Sequence, residues 1–361
     1  MMKSKLSDIC LIEKGKQIDT NLLDDSNPYK YINGGIKESG FYTDFNTDEP
    51  VVTVSEGGAS CGYVGYVEEK FWCGCHCYKL SKCKVEPKYL YYALKSNQQK
   101  IMNLRTGATM PNIKKELFKQ LEINVDLDRG NQLRVINELD NIQNLINANA
   151  KKLESFDELI KSRFNEMFGD PLLNENGFLT EKLSVICPFN TYKGDVEAID
   201  GKVWLLNLDM IESNTGVILD KQYVDISEIG NSVIKFDSNC VLYSKLRPYL
   251  NKVALPNCSG YASSELIYMK TGKRIKKEFL ANLLRNKSFV DYINSKSGGA
   301  KMPRANMDFL RNFALMIPPE DLQEKFAFFV SQIDKSKFVV QQQIKDLEEL
   351  LDKKMDEYFG G

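Results

Sequence analysis

The chain has 361 residues, 43% of them hydrophobic and 27% charged, and a formal net charge of −1. At roughly 100 to 200 residues per domain this is enough chain for more than one core, and the balance excludes a disordered polymer. No apolar run approaches the ~20 residues of a membrane-spanning helix and the N-terminus lacks a signal-peptide core, so the expected location is the cytoplasm, with the nine cysteines reduced.

The sequence is written twice. Lys5-Leu6-Ser7 with Ile9-Cys10 returns as Lys182-Leu183-Ser184 with Ile186-Cys187, and Tyr89-Leu90 with Leu94 as Phe279-Leu280 with Leu284. Gly107-Ala108 with Met110-Pro111 returns as Gly299-Ala300 with Met302-Pro303, and Phe168-Gly169 as Phe359-Gly360. The offset grows from 177 to 191, which places 14 extra residues in the middle of the second copy. Duplication predicts a pseudo-two-fold molecule.

In chain order, residues 1–126 read as a first α+β domain. Short β-type stretches such as Pro50-Val51-Val52-Thr53-Val54 are punctuated by Gly, Asn and Asp turns. A helix is expected near 87–104, and Leu121, Ile123 and Val125 alternate as a final half-buried strand. Residues 127–170 are rich in Leu, Ile, Glu, Lys and Gln, with no internal proline, and predict one long helix over 128–168. Its apolar stripe steps by threes and fours through Leu139, Ile142, Ile146, Leu153, Phe156 and Ile160, with Asn149 and Arg163 interrupting before Met167. Gly169 suits the position after the helix end, and Asp170-Pro171 stops it.

Residues 171–319 repeat the α+β pattern. Cys240-Val241-Leu242-Tyr243 reads as a strand, a helix is expected near 277–294, and Phe313, Leu315 and Ile317 alternate at the end. Residues 320–361 repeat the long helix. Val330, Ile333, Val340, Ile344, Leu347 and Leu351 form its stripe up to Tyr358, Lys337 and Lys354 interrupt it, and Gly360 stands where Gly169 stands in the first copy. About 40 residues at ~1.5 Å each make a rod of ~60 Å. Two rods with matching stripes are expected to pack as an antiparallel pair that holds two α/β domains apart.

The near-zero net charge is a sum of opposites. Lys84–Lys119 carries eight bases against two acids, and Lys270–Arg311 eleven against three, whereas Asp126–Asp170 carries six bases against nine acids. A basic block repeated beside Tyr-rich polar turns favours nucleic-acid phosphates, with neighbouring side chains reading base edges.

Enzyme chemistry is sparse. There is no Gly-x-x-x-x-Gly-Lys-Ser/Thr phosphate loop, and His76 is the only histidine. Asn27-Pro28-Tyr29 resembles the Asn-Pro-Pro-aromatic loop of amino-methyltransferases but lacks its second proline. Cys73, Cys75 and Cys77, with Cys61 and Cys83 nearby, raise a zinc site. Their spacing instead predicts a strand with three sulfurs on one core-facing side, so no metal is expected.

Together these features resemble the specificity subunit of type I restriction-modification systems. The resemblance is carried by the paired openings at Lys5 and Lys182, the segments Thr106–Asn112 and Ser297–Pro303, the helices ending at Phe168-Gly169 and Phe359-Gly360, and Leu242–Leu250, which is similar to that family's target-recognition domains. It implies two target-recognition domains with two long antiparallel coiled-coil helices as spacers. It further implies an asymmetric bipartite double-stranded DNA target, no catalytic residue and no cofactor bound by this chain, and no membrane association. Two methylation subunits using S-adenosylmethionine and two motor-nuclease subunits using ATP and Mg²⁺ are the implied partners. Phosphate-positioning roles are expected for Lys14, Lys16, Arg105, Lys114, Lys193, Lys245, Arg247, Lys252 and Arg304, and base readout for Ser55, Ser60, Tyr63, Asn207, Ser244 and Tyr249. The competing readings are a helix-pair assembly scaffold with no DNA role and a self-contained DNA methyltransferase.

Overall fold

A computed structural model describes residues 2–107, 110–299 and 301–360. It divides into two compact units, Met1–Ala150 with Gln342–Gly361, and Lys151–Gln341, so both boundaries fall inside the long helices.

In the first unit, the strand Met2–Lys5 pairs antiparallel with Glu122–Val125 and closes the domain's two ends on each other. A four-stranded antiparallel sheet runs in the order Leu11–Lys14, Cys77–Ser81, Val51–Ser55, Val64–Val67. Val51–Ser55 is buried along its whole length, as expected of a β-branched central strand covered on both faces. A second sheet holds Gly40–Tyr42, Tyr29–Ile32 and Phe71–Cys73. The core gathers Val52, Val54, Leu80, Leu90 and Phe118, and the expected closing residues Leu121, Ile123 and Val125 enter it.

The second unit repeats this plan. Leu179–Lys182 pairs with Ala314–Ile317, Cys240–Ser244 is the fully buried strand, and Leu266–Lys270 lies beside it. The offset between copies is already 189 at Ser55 and Ser244, so most of the extra residues precede that strand.

The expected single helix near 87–104 is two, Pro87–Ser96 and Gln98–Met102, broken at Asn97. Its counterpart is also two, Lys277–Arg285 and Lys287–Ser295, broken at Asn286. Asparagine side chains bond local backbone groups in place of the helix ladder. Asn97 Nδ2 donates to Ala93 O at 2.8 Å, and Asn286 Oδ1 accepts from Ser288 N at 3.0 Å.

The long helices are Arg129–Phe168 and Glu320–Phe359. In the first unit Tyr358 Oη donates to Glu138 Oε2 at 2.5 Å and Lys354 Nζ lies 3.1 Å from Glu138 Oε1. In the second unit Lys337 Nζ meets Asp157 Oδ1 at 2.5 Å while Phe326 packs on Phe164 and Phe168. Residue number there falls along one helix as it rises along the other, which makes the pair antiparallel. Lys337, an apparent break in the stripe, thus finds a carboxylate partner. Leu139, Ile142, Ile146, Ile160, Val330, Ile333 and Val340 are buried, and Leu153, Phe156, Ile344, Leu347 and Leu351 half-buried.

Two details depart from the expected seam. Beyond Ile160 the buried residues are Phe164 and Phe168, a step of four, so Arg163 and Met167 fall beside the seam. Arg163 instead pairs with Glu166 at 2.7 Å. Gly169 takes φ +71, the left-handed geometry of a helix stop, whereas Gly360 stays outside that region.

Candidate nucleic-acid interface

The two repeated signatures meet in each unit. Residues leaving the buried central strand form a loop, and the Met-Pro segment lies against it. In the first unit Ser55 N donates to Tyr63 O (3.0 Å), Glu56 N to His76 O (2.9 Å), Gly58 N to Pro111 O (3.0 Å) and Ile113 N to Glu56 O (2.8 Å). In the second, Ser244 N donates to Lys252 O (3.0 Å), Lys245 N to Glu265 O (3.0 Å), Arg247 N to Pro303 O (2.7 Å) and Ala305 N to Lys245 O (2.8 Å). Even the serine side chains match: Ser55 Oγ donates to Gly57 O at 3.2 Å, and Ser244 Oγ to Leu246 O at 2.8 Å. Ala108, Thr109 and Ala300 of the repeated segment lie outside the described residues.

On this shared backbone the side chains differ. Glu56, Gly58, Tyr63, His76 and Asn112 of the first copy are replaced by Lys245, Arg247, Lys252, Glu265 and Arg304 in the second. Lys14 is held by Glu56, its Nζ 2.7 Å from each carboxylate oxygen. Tyr78 Oη lies 3.1 Å from Glu56 Oε1 and 2.9 Å from Ile113 O, and burial beside that carboxylate pushes its phenol upward. Lys16 is exposed, and its carbonyl accepts from Trp72 Nε1 at 2.8 Å. Lys114 is exposed, Ser60 and Tyr63 half-buried, and Lys95 Nζ stands 4.6 Å from the Tyr63 ring centroid. Burial lowers the Lys95 ammonium from its ordinary range.

In the second unit Lys245, Arg247 and Asn207 are half-buried, while Lys193 and Tyr249 are exposed. Arg247 holds φ +50, where the first copy uses Gly58 at φ +76. Both Arg105 and Arg247 bury a guanidinium Nε that has no acceptor among the described residues, a costly arrangement that packing alone does not favour.

Four of the expected contact residues have partners within the protein, and the expectation for the cysteines is corrected. Ser55 and Ser244 are 2% and 3% exposed and spend their hydroxyls on loop carbonyls, so they shape the loops. Lys252 donates to Leu208 O at 2.7 Å and so pins a neighbouring segment. Arg304 pairs with Glu265 at 2.8 Å, which offsets its charge. The cysteine stretch is no continuous strand. A turn at 74–76 separates Phe71–Cys73 from Cys77–Ser81, so Cys73 and Cys77 are buried while Cys75 Sγ donates to Gln17 Oε1 at 2.8 Å.

Gln132 and Gln323, which the helix pattern did not single out, fasten each domain to the start of its long helix. Gln132 Oε1 accepts from Glu86 N at 2.8 Å while its Nε2 donates to Asp126 O at 2.8 Å. Gln323 Oε1 accepts from Lys276 N at 2.9 Å while its Nε2 donates to Pro318 O at 2.8 Å. The available signal was a polar residue recurring on the apolar face at the 191 offset.

Among the described residues no helix is long and apolar enough to cross a membrane. A family model for the type I restriction modification DNA specificity domain matches residues 1–157 and 210–349. A type I specificity subunit of Mycoplasma genitalium is 35% identical over 170 residues, 42% of this chain and 44% of that protein. One from Mycoplasma pneumoniae is 37% identical over 124 residues, 34% of this chain and 33% of that protein. The alignments thus span less than half the length of these relatives. The crystal structure of an S subunit from M. genitalium shares the fold, with a TM-score of 0.62 at 20% identity, covering 99% of this chain and 96% of that one. With the family match on both copies and one fold along the whole length, this chain belongs to the type I restriction-modification DNA specificity family.

Proposed function

We propose that the chain is the DNA-recognition subunit of a type I restriction-modification complex, each unit gripping one part of a bipartite, asymmetric duplex target. The observation that carries this reading is the duplicated loop lattice bearing unlike side chains. One backbone design presents Glu56, Gly58 and Asn112 in one unit and Lys245, Arg247 and Arg304 in the other. Identical scaffolds with different tips suit two half-sites of different sequence, since base edges are read by side chains while phosphates fix the register. Lys16, Lys114, Lys193, Lys245 and Arg247 are the phosphate-facing candidates. Ser60, Tyr63, Asn207 and Tyr249 remain candidates for readout.

In this reading the chain supplies no catalytic group. Two methylation subunits hold S-adenosylmethionine, two motor-nuclease subunits use ATP and Mg²⁺, and the assembly works in the cytoplasm. The paired helices set the spacing of the half-sites.

The test is to map methylated adenines in cells carrying the gene, then measure binding of the mapped duplex by the chain assembled with its methylation subunits. Tight binding that weakens steeply with salt supports the reading. Full complex function in a Lys245→Glu/Arg247→Glu variant would favour a scaffold without a DNA role. Binding of S-adenosylmethionine by the chain alone would favour a self-contained methyltransferase.

A further inference from the structure

Cys10 and Cys83 stand opposite each other, although 73 positions separate them in the chain. The ladder between Leu11–Lys14 and Cys77–Ser81 ends with Leu11 facing Ser81. Lys82 then takes φ +49, and Lys84 N donates to Ile9 O at 2.8 Å. Lys82 is therefore the extra residue of a bulge, after which Cys83 faces Cys10. The Leu11–Ser81 pair on one side and the Lys84 N to Ile9 O bond on the other bracket the two cysteines, and a disulfide spans Cα separations of ~4.4–6.8 Å.

We propose that Cys10 and Cys83 are an oxidisable dithiol, a modification site for a peroxide-class oxidant that converts the pair to a disulfide. Access divides the two roles. Cys83 is half-buried and reaches solvent, whereas Cys10 is 7% exposed. Cys10 Sγ donates to Leu6 O at 3.5 Å and Cys83 Sγ to Leu80 O at 3.4 Å, and the neighbouring Cys10 thiol holds Cys83 below the ordinary thiol range, against burial and the nearby Glu49 carboxylate. Cys10 is held above that range by the Cys83 thiol and by burial. Cys83 is thus the attacking thiolate and Cys10 the resolving thiol.

In the first step the Cys83 sulfur attacks one peroxide oxygen. An S–O bond forms, the O–O bond breaks, and the departing hydroxide takes a proton to become water. In the second step the Cys10 sulfur attacks the Cys83 sulfur. The S–S bond forms, the S–O bond breaks, and the leaving hydroxide takes the Cys10 proton as a second water. Two thiols and one hydrogen peroxide give one disulfide and two waters.

The other thiols differ. Cys73 and Cys77 are both buried. Cys187, the second copy's counterpart of Cys10, is buried with its thiol pushed up to about 12, and neither Gly272 nor Lys273, at offsets of 189 and 190 from Cys83, is a cysteine. The pair therefore belongs to the first copy alone. Its closure would tie the short helix Leu6–Ile9 to the segment entering helix Pro87–Ser96.

The experiment exposes the reduced full-length chain to hydrogen peroxide, counts thiols after denaturation and maps linked peptides. The nine thiols should fall to seven with a Cys10–Cys83 cross-linked peptide in the unaltered chain, and the eight of Cys75→Ser to six with the same peptide, while Cys83→Ser keeps all eight of its own. Retention of nine thiols, a different linked pair, or Cys83 driven to sulfinic acid with Cys10 still free would overturn the proposal. The mapping in the unaltered chain decides the matter even if Cys83→Ser folds poorly.

Discussion

Gly58 and Arg247 occupy one backbone position in the two copies: each N–H donates to the carbonyl of the repeated proline, Gly58 to Pro111 and Arg247 to Pro303, and each has positive φ. Left-handed backbone costs a side-chain-bearing residue about 1–2 kcal/mol and glycine almost nothing. The second copy bears that cost and carries a half-buried arginine in the loop. Arg247→Gly should leave stability unchanged or raise it by up to about 1 kcal/mol, yet weaken binding of the mapped duplex. Urea unfolding beside a binding titration separates the two effects, and undiminished binding would remove Arg247 from the interface. The reciprocal Gly58→Ala, whose Cβ meets nothing within 4 Å among the described residues, should cost about 1 kcal/mol through backbone strain.

Gln323 is 1% exposed and satisfies Lys276 N, Pro318 O and Arg274 O together. Gln323→Leu keeps the bulk and strands these groups, so it should cost about 1–3 kcal/mol. Gln132→Leu should behave alike in the first unit. A denaturation midpoint equal to that of the unaltered chain would show that these bonds do not fasten domain to helix.

The Tyr358 hydroxyl and the Lys354 ammonium hold the Glu138 carboxyl below its ordinary range. A carboxyl lowered by folding adds stability above its unfolded pKa and loses it as pH falls through the folded value. Glu138→Gln should therefore be less stable than the unaltered chain near neutrality, and the gap should close as the medium is acidified past that carboxyl's titration. Chemical denaturation across the acid range measures it, and a gap independent of pH would assign the effect to packing.

Phe168 is fully buried, with its ring centroid 4.8 Å from that of Phe279 and 5.4 Å from that of Phe326. Phe168→Ala should cost about 3–5 kcal/mol through the cavity it leaves. Phe359, 5.1 Å from Tyr89, is its counterpart in the first unit and should respond similarly. Thermal unfolding of the two variants tests both.

Much of the architecture was legible from local pattern. Proline-free, heptad-striped stretches specify long helices, alternating residues such as Leu121, Ile123 and Val125 specify closing strands, and the repeat at Lys5 and Lys182 announces two copies. These are signals of short sequence range, carried by helix and strand periodicity. Tertiary structure alone decided which side chains stand free at the loops. Ser55 and Ser244 are inward, Arg304 is paired with Glu265, and Gln132 and Gln323 are buried clasps. The physical reason is that hydrogen bonds such as Gly58 to Pro111, or the facing of Cys10 and Cys83 across a one-residue bulge, join residues far apart in the chain. They depend on register and backbone angle, which leave no periodic trace in the order of amino acids.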